Sequence, residues 1–153
     1  MDDAHSSAMQ WLRIDDWFVV FTNPAREISP RNWEAVLEHL RDPSLRGFLS
    51  VIDHDGHPRL HAQHRHSARE TFRSLSYNIS VLTSHRQTLA LGRILDWAGV
   101  PLRCFPSREL GQALEHIGVP EALHPRFAET IARLRREALS AQAGLRPSQS
   151  SAP

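Results

Sequence analysis

Histidine is crowded into one short stretch of this chain. Residues 53–66, DHDGHPRLHAQHRH, hold His54, His57, His61, His64 and His66, five of the ten histidines in the sequence. A neutral imidazole ligates metals, and the ring exchanges a proton near neutral pH. His57, His61 and His64 stand at i, i+4, i+7. On a helix that spacing brings the three rings to one side, where they converge on a single ion with Asp53 or Asp55 as an oxygen ligand. The same residues also suit a polar helix start that hydrogen-bonds locally and lines a partner. No HExxH pattern accompanies them, and the residues alone leave both readings open.

Other groups carry less chemistry. Cys104 is the single cysteine, which excludes an internal disulfide and a thiolate zinc cage. It sits inside the apolar run PLRCF and reads as a small core residue rather than a nucleophile. Ser84 and His85 are neighbours at a strand end, where adjacent side chains point apart, and no nucleophile elbow precedes them. Gly92 and Gly99 form no phosphate-binding loop. All 18 basic residues are arginine, which removes Schiff-base and P-loop lysine chemistry and points to a GC-rich, bacterial coding sequence. The net charge of +1 offers no basic field for nucleic acid. Trp11, Trp17, Trp33 and Trp97 therefore read as packing residues rather than base-stacking platforms. No apolar run approaches the roughly 20 residues of a membrane span. The start, MDDAHSSAMQ, is acidic and polar, unlike a secretory signal, so a cytoplasmic location is expected. No cofactor is expected.

The elements that position these groups follow from period and punctuation. WLRIDDWFVVFTNP (11–24) reads as two strands around a tight Asp15-Asp16 turn. Ser29-Pro30 opens a helix whose Trp33, Val36, Leu37 and Leu40 form one buried stripe, and Asp42-Pro43 stops it. GFLSVID (47–53) reads as a buried central strand, followed by the histidine stretch and a helix from about Pro58 to Leu75. On that helix Leu60, Ala68, Phe72 and Leu75 share a side with His57, His61 and His64. Arg59, His66, Arg69, Glu70 and Arg73 point away. SYNISVLTS (76–84) is a strand, 86–99 a helix closed by Gly99, and PLRCF (101–105) a strand. Ser107 is expected to cap a helix carrying Leu110, Ala113, Leu114 and Ile117, closed by Gly118. A last helix spans 125–144. The alternation argues an α/β sandwich around a mixed, largely parallel sheet.

With this order on the page, the chain resembles the STAS domain, the family of anti-sigma-factor antagonists and sulfate-transporter regulatory domains with its SpoIIAA-like relatives. The segment that carries the resemblance best is SVLTSH followed by LGRILDWAGVPLRCFPSRELGQALEHIGV. There a strand, a helix ending in an aromatic turn, a strand ending in Phe and a helix ending near Gly recur as in that family. The resemblance covers roughly 11–119, leaving 120–144 as a helical extension and 1–10 and 145–153 as flexible tails. Phosphorylated members carry an Asp-Ser-Ser/Thr-Gly turn between strand and helix. Here the matching turn is Asp53-His54-Asp55-Gly56, and Asp55 stands at the phosphoacceptor's place as a permanent charge. Ser67 is the next hydroxyl. The partner switch itself does not carry over; a fold and a habit of binding proteins do.

Three functional expectations follow. The first is a non-catalytic regulatory module that meets a partner protein through the 53–67 turn and helix start, with Asp53, Asp55, Gly56, His57 and Ser67 at the contact. The second is a metal- or small-ligand-binding protein, or an enzyme, built on His57, His61 and His64. The third is a self-associating scaffold, a homodimer through the last helix. That helix carries Phe127, Ile131, Leu134 and Ala138 at i, i+4, i+7, i+11, and its stripe is buried either on the chain's own sheet or against a second copy.

Overall fold

The run MQWLRI-DD-WFVVFT folds back on itself. Strand β1 (Met9–Ile14) pairs antiparallel with β2 (Trp17–Thr22), Ile14 standing opposite Trp17. Asp15 takes the positive φ, 49°, that a two-residue hairpin turn requires. The computed structural model describes residues 9–22, 28–52, 70–84, 86, 89 and 101–145. Strand β1 begins at Met9 rather than at Trp11, so the end of the expected tail belongs to the sheet.

Helix α1 (Pro30–Leu40) starts where its signals place it. The Ser29 hydroxyl accepts the Asn32 N–H at 3.1 Å, which satisfies one of the free donors of the first turn. Trp33, Val36, Leu37 and Leu40 are its buried stripe. At its other end the Tyr77 hydroxyl donates to the Leu40 carbonyl at 2.5 Å. Strands β3 (Gly47–Ile52), β4 (Asn78–Thr83) and β5 (Leu102–Pro106) follow, and β2 to β5 are all parallel.

Spatial order equals sequence order, β1-β2-β3-β4-β5, and this has a geometric consequence. Right-handed crossovers that all step in the same direction lie on one face of a sheet. Accordingly α1 and Phe72 and Leu75, from the segment before β4, pack with Phe18, Val20, Phe48, Ile52, Ile79, Val81 and Leu102. The opposite face, with Val19, Phe21, Leu49, Val51, Leu82 and Phe105, is covered by what comes after β5. That cover is α2 (Leu110–His116) and, after a short 3-10 turn (Glu121–Leu123), α3 (His124–Leu145). Two calculable faces thus make two cores.

One expectation is corrected here and one alternative is decided. Ser107 is not a helix cap: the Glu109 N–H turns back to the Pro106 carbonyl at 2.8 Å, and α2 starts only at Leu110, with Glu109 before it and no side-chain cap. Of the two fates open to the stripe of the last helix, burial on the chain's own sheet is the one seen: Phe127, Ile131 and Leu134 are 0%, 4% and 5% exposed inside the second core, so they are not free for association. The expected helix over 58–75 is described only from 70, where 70–74 are helical, and that over 86–99 only at Arg86 and Leu89, both helical.

Helix α2 is held by bonds to its last carbonyls, which have no partner within a helix. Trp17 Nε1–H donates to the Ile117 carbonyl at 2.9 Å, Asn78 Nδ2–H to that of His116 at 2.9 Å, and the Ser80 hydroxyl to that of Ala113 at 2.7 Å. Gly118, at φ 77°, then closes the helix: its N–H returns to Glu115 and that of Val119 to Leu114, each at 3.0 Å. This paired bonding is a Schellman stop. The β3 backbone approaches the same place, and a Cβ on Gly47 would lie 2.8 Å from both the Ile117 Cβ and the Trp17 ring.

Two substitutions measure these contacts. Gly47→Ala is expected to lower stability by about 1–3 kcal/mol through overpacking. Phe127→Ala is expected to cost about 3–5 kcal/mol, the range for deleting a fully buried ring. Urea unfolding of each variant, followed by tryptophan fluorescence, checks both values.

Candidate functional site

Parallel strands put all their carboxyl ends on one edge of a sheet, and open α/β sheets place ligands beyond that edge. Here the edge row is Met9, Thr22, Ile52, Thr83 and Pro106, residues in register from β1 to β5. Strand β3 is the middle strand, so the chain leaves the sheet after Ile52 at the centre of that edge. Thr22 and Thr83, on the strands flanking Ile52, are buried at 4% and 0% exposure. Their alternation with the apolar positions turns both toward the α1 face, as Ile52 does.

The sequence candidates continue from this point. Asp53, Asp55, Gly56, His57, His61, His64 and Ser67 all lie outside the described residues. Among the described residues no group of three or more His, Cys, Asp or Glu side chains is placed to hold a metal ion. Among them, too, no helix is long and apolar enough to cross a membrane.

Cys104 lies half-buried on β5 against the α1-side core. Burial pushes its thiol up to about 11. A thiolate, the nucleophilic form, is scarce under those conditions. Burial also raises the Tyr77 hydroxyl above its usual value, with the charge of Asp42 adding to the effect. Its proton stays in the bond to Leu40. Trp17 and Trp33 are buried and Trp11 half-buried, all three packed in the cores.

The opposite, amino edge holds a set of charges that periodicity does not reveal. Arg13 donates to the Asp42 carboxylate at 2.9 Å, to the Ser44 hydroxyl at 2.8 Å and to the Asp15 carbonyl at 2.7 Å. Arg46 approaches Asp16 at 3.4 Å, and Arg126 of α3 approaches Asp15 at 3.6 Å. The Asp42 carboxyl accepts the Ser44 hydroxyl at 2.7 Å and the Ser44 N–H at 2.9 Å. Those bonds, and then Arg13, hold it below the usual carboxylate range. The local signal is Asp42-Pro43-Ser44, an Asx turn. These pairs are exposed and each contributes little. Their effect is to fix the hairpin turn against the loop before β3.

One further concavity, an open groove of about 480 Å³, runs between β5 and α2 and is lined by Arg103, Phe105, Gln112, Glu115 and His116. The Phe105 and His116 rings lie 5.8 Å apart across it. Comparison with protein-family models, with curated proteins and with solved structures finds no match to this chain.

The thiol gives a direct check on this geometry. At pH 8 the native protein is expected to react with iodoacetamide roughly 100-fold more slowly than the urea-unfolded chain, since a thiol near 11 ionises about 100 times less than an ordinary one near 9. Comparable rates in the two states would mean that Cys104 is open and activated.

Proposed function

We propose that this chain is a non-catalytic regulatory module of STAS-like type that binds another protein through residues 53–67. One observation carries the reading. The sequence Asp53-His54-Asp55-Gly56 follows directly on Ile52, the last residue of the middle strand at the carboxyl edge of a mostly parallel five-stranded sheet. Residues 53–67 carry two carboxylates and five histidines, residue types that suit recognition of a complementary polar surface. The order of a hairpin followed by parallel strands agrees with the family the sequence resembles. The fixed charge of Asp55 replaces a switchable phosphate, so binding by this module is constitutive.

The experiment is a comparative capture. Tagged wild-type chain, an Asp53→Ala/Asp55→Arg/His57→Ala variant and an Arg136→Ala control are used to retrieve partners from the native cell, with zinc content measured in parallel. The expected result is a stoichiometric partner retained by wild type and control and lost by the triple variant, with no zinc retained. Capture unchanged by the triple variant would remove the proposed surface. Stoichiometric zinc lost on changing His57, His61 and His64 would replace the reading with the metal-binding one.

A further inference from the structure

We draw no further inference here: the strongest candidate, the open groove between β5 and α2 lined by Arg103, Phe105, Gln112, Glu115 and His116, carries none because Arg103 and His116 are engaged within the chain and nothing among the described residues shows what covers it.

Discussion

The fold turns on the indole of Trp17. Its N–H donates to the Ile117 carbonyl across 100 residues of sequence, its ring meets Phe127 edge-on at 6.4 Å, and the β3 backbone passes it at Gly47 with no room for a methyl group. A buried indole N–H without an acceptor would cost free energy comparable to a lost hydrogen bond, and so would the last carbonyl of α2 left bare. Each group solves the other's problem. One side chain therefore fixes how β2, β3, the end of α2 and the start of α3 meet. Asn78 and Ser80 on β4 do the same for the carbonyls one and four residues earlier, which is why a helix of only seven residues sits in a defined place.

The need for that second layer comes from the topology. Four parallel strands that step always in one direction send their crossovers to one face. The other face of β2 to β5 is as apolar as the first, and β2 is buried along its whole length. Without α2 and α3 it would meet water. The stripe Phe127, Ile131 and Leu134 is thus required by the chain's own sheet. That requirement, more than the amphipathicity of α3, settles how the stripe is used.

Much of this architecture was legible in residue order, and the exceptions have physical reasons. The Asp15-Asp16 turn, the Ser29-Pro30 helix start, the Gly118 stop and the apolar strand cores are local signals, each written in a few adjacent residues. The use of the last helix depended on spatial strand order, which periodicity does not contain. Ser107 looked like a cap, but the chain spends that stretch on a turn closed by Pro106 and Glu109. Gly47 looked like an ordinary strand start; its meaning lies in contacts with Trp17 and Ile117 that are distant in sequence. For the site, the sequence located a strand end and a histidine-rich segment after it. The strand end is at the middle of the carboxyl edge. Residues 53–67 themselves lie outside the described residues, so their mutual geometry rests on spacing alone.

The two ends of the sheet are chemically unlike. The amino end is closed. The side chains that bind α2's carbonyls lie there, as do Arg13, Asp42, Ser44, Asp16 and Arg46, and Arg126 brings the first turn of α3 to the same end. From there α3 lies over the second core. Its 22 residues span about 33 Å at the helical rise, whereas a six-residue strand spans about 20 Å. The helix is therefore longer than the strands it covers. The burial of Phe127, Ile131 and Leu134, more than the exposed pair of Arg126 with Asp15, holds the helix on that face.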